Sequence, residues 1–160
     1  DAEHSWTIAI MAVLLREYAN FEVDIEKVVL MLLIHDIVEI DAGDTFLYAA
    51  DRDAAALKEE KAAERIFGLL ESDQKNRFFE LWKEFEEKKT NEAQFAAVFD
   101  RLEPLLQNYL TEGSTWKANG VTYDMVLAKN RHRQKGSQRL WAFTEALLEK
   151  AVEKGYLPKQ

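Results

Sequence analysis

Val28-Val29-Leu30-Met31-Leu32-Leu33-Ile34-His35-Asp36-Ile37-Val38-Glu39-Ile40 is the stretch on which the reading of this chain turns. Asp24 ahead of it is a plausible N-cap with Glu26 in the first turn, and Gly43 lies in the turn beyond, so the stretch is expected to be one helix ending near Ile40. For most of its length it has no polar face, and a helix apolar all round belongs in an interior. Yet His35, Asp36 and Glu39 stand in its last turns. An isolated buried carboxylate is costly, or titrates to neutral, unless something compensates it. From these residues two readings are open: a buried His–Asp hydrogen bond near a helix end, or a divalent cation held by both side chains. His35 and Glu39 are at i and i+4, and Asp36 and Glu39 at i and i+3, so Glu39 projects beside whatever the other two hold.

Helical periodicity dominates outward from this segment. A first helix is expected over about Ala2 to Ala19, with Ile8, Met11, Ala12 and Leu15 on its buried face. A third spans about Arg52 to Leu70, and a fourth Asp73 to Lys88 with Phe78, Leu81, Trp82 and Phe85 as its apolar stripe. A fifth starts after Thr90 and runs toward Leu110, with Pro104 expected to kink or divide it. A loop from Gly113 to Gly120 carries Trp116, expected as a packing anchor. A sixth helix covers about Thr122 to Gln134 with Gly136 as its C-terminal stop, and a seventh Ser137 to Lys154, stopped by Gly155. Trp6, Trp82 and Trp141 fall on apolar stripes and are expected in the core. Strand-like alternation, repeats and linkers are absent from the sequence. The expectation is a single all-α domain over residues 1–160, a bundle of about seven helices.

Composition narrows what such a bundle can do. The 160 residues carry 21 Lys and Arg against 29 Asp and Glu, a net charge of −8, which argues against polynucleotide binding. Hydrophobic residues make up 48%, too many for a disordered chain. Cysteine is absent, which excludes disulfides, thiolate zinc sites and thiol catalysis. No apolar run approaches the roughly 18 residues of a membrane span. With no signal peptide visible, a cytoplasmic protein that engages no membrane is expected.

Two more residues could join the ionisable cluster. His4 stands in the first helical turn, and Asp100 lies between Phe99 and Arg101 on an apolar helix. Taken singly, His4 could be structural and Asp100 could pair with a basic neighbour. Together with His35 and Asp36 they would make an N/O site suited to Mn, Fe, Co, Ni or Zn rather than Ca.

The ordered set Glu3-His4-Ser5-Trp6, His35-Asp36-Ile37-Val38-Glu39, Gly43-Asp44-Thr45 and Phe95-Ala96-Ala97-Val98-Phe99-Asp100-Arg101-Leu102-Glu103 resembles the HD-domain metal-dependent phosphohydrolases. Within them it is most similar to the compact 5′-deoxynucleotidase-like branch, which includes oxetanocin-phosphate phosphohydrolases. The resemblance runs on through Leu81-Trp82, Gly113 to Val121 and Gly136-Ser137 to Leu157. It implies that His4, His35, Asp36 and Asp100 bind one divalent transition metal. It implies that Glu39 positions or deprotonates an attacking water, and that Asp44 contacts substrate or water. The implied reaction is hydrolysis of a (deoxy)nucleoside 5′-monophosphate, or a similar small phosphomonoester, to release phosphate. A homodimer is a further implication.

The same one-metal site could instead serve a nucleoside triphosphate or pyrophosphate ester, and a non-catalytic metal- or nucleotide-binding module is the rival of another class. Cyclic-dinucleotide hydrolysis is disfavoured, because its two-metal site needs more than this chain's three histidines and a Gly-Tyr-Pro element. The sequence opens at Asp1-Ala2-Glu3-His4 without methionine. Family members usually carry a preceding helix with an arginine that helps hold substrate phosphate, and that helix is expected to be missing here. Lys58, Lys61 and Arg65 are conceivable substitutes but read more simply as i,i+4 surface pairs. The basic run Lys129, Arg131, His132, Arg133 and Lys135 reads as complementing the C-terminal end of the sixth helix.

Overall fold

A computed structural model describes residues 2–44, 47–48 and 52–159. In chain order the helices are α1 (Ala2–Leu14), α2 (Ile25–Ile34), α3 (Glu39–Ala42), α4 (Arg52–Phe67), α5 (Ser72–Glu87), α6 (Asn91–Leu110), α7 (Ser114–Ala118), α8 (Tyr123–Asn130) and α9 (Gln138–Glu153). Tight 3-10 turns follow α1, α2 and α8 at Arg16–Tyr18, His35–Val38 and Arg131–Lys135. No strand occurs among the described residues, and none of their helices is long and apolar enough to cross a membrane.

Local chemistry sets the helix starts where the sequence placed them. The Asp24 carboxylate accepts the backbone N–H groups of Glu26 and Lys27 at 3.1 and 3.2 Å. The hydroxyls of Thr90, Thr122 and Ser137 accept from Ala93, Met125 and Leu140 in the same way. Each satisfies a donor that the first turn leaves without an intrahelical partner.

The axis of the bundle is α6. Phe95, Ala96 and Phe99 on it are completely buried, and the rings of Phe95 and Phe99 meet edge to face at 4.9 Å. Helices α1, α2, α5 and α9 pack around it. One apolar cluster joins α1, α2, α4, α5 and the first turns of α6. A second joins the C-terminal end of α6 to Trp116, Val121, Leu148 and Leu157. Trp116 is 2% exposed, the expected anchor, although the segment around it forms the short helix α7 rather than a plain loop.

Several expectations are corrected. The helix from Asp24 does not run intact to Ile40: it tightens at His35 and resumes as α3. Nor is it buried all round, since Leu33 is 42% exposed over a groove between α1, α2 and α5. Trp6 is 65% exposed rather than in the core. It follows Ser5 directly, hence stands roughly 100° around the helix from the stripe of Ser5, Ile8, Ala9 and Ala12 that faces inward. The helix carrying Pro104 is not divided. The N–H that Pro104 lacks is the one that would bond the carbonyl of Asp100, four residues earlier.

Gly136 is not a left-handed helix stop; its φ is −80°. Its lack of a side chain serves close approach instead. A Cβ there would collide with the carbonyl oxygen of Gln94 and would lie 2.8 Å from Val98 Cγ2 on α6. The basic run before it does complement the end of α8: buried Arg133 donates through Nε to the Asn130 carbonyl and through Nη1 to the Val98 carbonyl, both at 3.3 Å.

Gly136→Ala should therefore lower stability by about 1–3 kcal/mol, because the extra methyl must push the turn off α6. Urea unfolding monitored by tryptophan fluorescence measures this. An unchanged midpoint would show that the turn does not seat as closely as described.

Candidate functional site

The tightening at His35 builds one side of the site. The His35 ring turns back on its own helix, with Nδ1 2.8 Å from the carbonyl of Leu32. A carbonyl can only accept, so Nδ1 carries a proton and Nε2 is the nitrogen left to face the cluster, with a lone pair whenever the ring is neutral. In the 3-10 turn that follows, residues three apart eclipse, which stacks Glu39 over Asp36. The other side comes from α6, which supplies Asp100, and from the first turn of α1, which supplies His4.

These groups converge. His35 Nε2 lies 2.8 Å from Asp36 Oδ1 and 3.6 Å from Asp100 Oδ1. His4 Nε2 lies 3.6 Å from Asp100 Oδ1 and 3.9 Å from Asp36 Oδ2. The two imidazole centroids are 5.7 Å apart. One ligand atom from each of His4, His35 and Asp100 falls within 4.8 Å of the others, and these three residues could hold a metal ion.

The electrostatics of the cluster fit a cation. Buried His35 Nε2 makes no directed hydrogen bond, although Asp36 Oδ1 is within 2.8 Å. A short approach without hydrogen-bond alignment suits a shared cation better than a shared proton. In the protein as described a proton takes that role. Burial by itself would depress His35, but the carboxylates of Asp100 and Asp36 outweigh it and push the imidazole up to about 10. His4 is likewise raised, burial again opposing and Asp100, Glu103 and Asp36 prevailing. Burial would raise Asp100, yet Arg101, His35 and His4 hold it well below the usual carboxylate range.

The cluster opens into a cavity of about 260 Å³, also lined by Glu39, Asp44, Glu59, Phe85, Lys88 and Arg101. Burial and the nearby charges of Asp36 and Asp44 push Glu39 up to about 7. Asp44 is exposed at the rim. Thr45 of the Gly-Asp-Thr element lies outside the described residues, which resume at Leu47 and Tyr48. A second cavity of about 220 Å³ shares Asp44, Arg101 and Pro104 with the first and runs toward Tyr48, Trp116 and Asn130.

All four side chains expected to act together, His4, His35, Asp36 and Asp100, thus face one space, with Glu39 and Asp44 beside it. Two features escaped sequence reasoning. Glu103 Oε2 accepts from His4 Nδ1 at 2.9 Å, which fixes that ring with Nε2 toward the cluster. Its position three residues after Asp100 on α6 was the available signal. Lys88 was the other, and nothing local marked it. Lys58, Lys61 and Arg65 do not line the cavity. Arg65 instead grips Asp41, with Nη2 2.8 Å from Oδ1, and ties α4 to α3.

Residues 1–141 match the family model described as an HD domain. The 5′-deoxynucleotidase HDDC2 of Homo sapiens is 29% identical over 136 residues, 82% of this chain and 64% of that protein. The protein of the same name from Bos taurus is 31% identical over 110 residues, 66% of this chain and 51% of its own length. The chain therefore spans less than two thirds of the length of these relatives. A crystal structure described as a predicted metal-dependent phosphohydrolase from Magnetospirillum magnetotacticum MS-1 superposes with a TM-score of 0.94 at 53% identity, covering 99% of this chain and 80% of that one. The ordered His and Asp positions, the all-α bundle that unites them and the match over most of the sequence lead to one conclusion: the chain belongs to the HD-domain family.

Proposed function

We propose that residues 1–160 form one HD-domain unit that hydrolyses a small phosphomonoester, a (deoxy)nucleoside 5′-monophosphate, and releases phosphate. The observation that carries this reading is the pair of imidazole Nε2 atoms turned by Leu32 and Glu103 onto the same two carboxylates. His4, His35, Asp36 and Asp100 would hold one divalent ion, and their N/O set suits Mn, Fe, Co, Ni or Zn. The chemistry supplied there by such an ion is acidification of water and neutralisation of phosphoryl charge.

Glu39 is the proton acceptor in this reading. It lines the same cavity, and a carboxyl titrating near neutrality suits a general base. Water attacks phosphorus and gives a proton to Glu39, the ester P–O bond breaks, and the proton held by Glu39 passes to the leaving oxygen, so that the alcohol and hydrogen phosphate depart and the carboxylate is restored. Asp44 at the rim would contact the substrate or a water. The adjoining cavity toward Tyr48 and Trp116 offers room for the organic half of the ester. The deoxynucleotidase names of the relatives favour a nucleoside there. A homodimer belongs to the same reading by family likeness, and a cytoplasmic location is proposed with it.

Phosphate release from a nucleotide panel, with Mn or Co added, tests the proposal. Glu39→Gln should lower kcat by about 10²–10⁴ while keeping bound metal; full turnover in this variant would remove Glu39 from the mechanism. Pyrophosphate as the product of a triphosphate would favour the rival hydrolase. One equivalent of metal with no turnover of any phosphate ester would favour a non-catalytic module.

Metal binding should be linked to pH. The raised pKa values mean that His35, and in part His4, carry protons near neutrality that a metal must displace. The stability these imidazolium groups lend the metal-free protein is complete below about 6.5, their unfolded value, and for His35 is lost as pH rises through about 10. Metal affinity should rise over the same window, roughly tenfold per pH unit for each proton displaced. Calorimetry in buffers of different ionisation enthalpy reads the protons released; a buffer-independent heat would contradict this linkage. Glu103→Ala should weaken metal binding by about 10–100-fold by freeing the His4 ring, and competition with a chelator measures that loss.

A further inference from the structure

The site that the proposed function assigns to a phosphate ester is acidic. Asp36, Glu39, Asp44, Glu59, Glu86 and Asp100 all line the cavity, and the chain as a whole carries a net charge of −8. A phosphoryl dianion entering it meets repulsion that a divalent ion, its charge offset by two carboxylate ligands, would relieve only in part. Among the described residues that line the cavity, the permanent cations are Lys88 and Arg101. Arg101 is engaged: its Nε lies 3.3 Å from Asp100 Oδ2, on the carboxylate that faces both histidines.

Lys88 is held unusually. It caps α5 in the left-handed conformation, φ 51° and ψ 35°, with its N–H on the Glu84 carbonyl at 3.2 Å. That backbone favours glycine, and a lysine there is strained. The joint is fixed around it, because Glu84 receives both Thr90 Oγ1 at 2.6 Å and Lys27 Nζ at 2.8 Å. Lys88 Nζ sits 5.0 Å from the centroid of the Phe85 ring, whose own centroid is 4.9 Å from that of His35. Among the described residues it pairs with Glu86 at 3.8 Å, with both side chains substantially in water, a pairing that does not consume the charge. The field of these cations reaches the neighbouring turn: burial and the charges of Arg133, Lys88 and Arg101 hold His132 below its ordinary value.

We propose that Lys88 binds the phosphoryl oxygens of the substrate, the left-handed cap on α5 placing its ammonium at the cavity while Arg101 stays on Asp100. A lysine suits this role as a mobile point charge able to follow the phosphoryl group. The role rests on the phosphohydrolase reading for the identity of the ligand, but it predicts anion binding whether or not turnover is seen. The strained backbone adds an independent signature. Glycine at this position should relax the cap and weaken phosphate binding together, whereas a lysine with a purely structural role would show no link to phosphate.

The test uses the Mn-loaded chain and inorganic phosphate, bound by calorimetry and as a product inhibitor, alongside KM and kcat for a nucleoside monophosphate. Lys88→Met should weaken phosphate binding and raise KM by tenfold or more, with metal stoichiometry unchanged. Lys88→Arg should recover most of the loss. Lys88→Gly should show the same loss as the methionine variant with a higher melting temperature. Phosphate affinity within twofold of wild type in both Lys88→Met and Lys88→Gly overturns the assignment, as does a wild-type protein that binds no phosphate. If phosphate binding depends on Lys88 but no ester is hydrolysed, the anion site stands and the phosphohydrolase reading fails. If esters are hydrolysed and the Lys88 variants are normal, the reverse holds.

Discussion

Two imidazole lone pairs aimed at two carboxylates inside an apolar bundle are the constraint around which this molecule is organised. Neutral Nε2 and ionised carboxylate oxygen repel at the distances observed, and partial burial weakens the screening that water would give them. Something positive must stand among them. In the protein alone it is a proton, which is why His35 is pushed up to about 10 against its own burial. A divalent ion meets the same requirement with more charge and without needing hydrogen-bond alignment, and His35 Nε2 lacks that alignment.

Holding such a cluster together demands rigidity from its frame. Asp100 rides on α6 beside Phe99, which is completely buried, so the carboxylate cannot drift without disturbing the core. His35 is tied to Leu32 and His4 to Glu103, each through the ring nitrogen away from the cluster. The pairing of Arg65 with Asp41 then steadies the short α3 that begins with Glu39. These outer contacts determine which face of each ring looks inward, and hence what the cluster can bind.

The same frame would let an acidic chain present the proposed site for a phosphate ester. Charge is separated over a short distance, with carboxylates at the cluster and rim and Lys88, Arg101 and Arg133 behind and beside them. Arg133 is fully buried and holds two backbone carbonyls, so its charge belongs to the scaffold. Burial and the charge of Arg101 bring it down to about 9. Arg101 steadies Asp100, and Lys88 lines the same cavity.

Much of this was legible in the chain. Helix starts followed from Asp24, Thr90, Thr122 and Ser137, because capping is a contact between residues two or three apart. His35, Asp36 and Glu39 announced themselves as charges in an apolar run, and His4 and Asp100 entered through the order of the motif. Other features depend on contacts that no local pattern encodes. Trp6 looked like core because it is large and helical, but only the neighbours of α1 decide which of its faces is covered. The break at His35 depends on where the ring finds an acceptor. Gly136 is required by α6, 42 residues earlier at Gln94, and Lys88 matters because the end of α5 shares a cavity with the 3-10 turn after α2 and with Asp100 and Arg101 of α6. The sequence by itself determined an all-α chain and which residue types would carry charge into its interior, since propensity, capping and periodicity act over a few residues. Only the tertiary structure decided that those charges share one space, because the distances between their side chains are set by packing among distant helices.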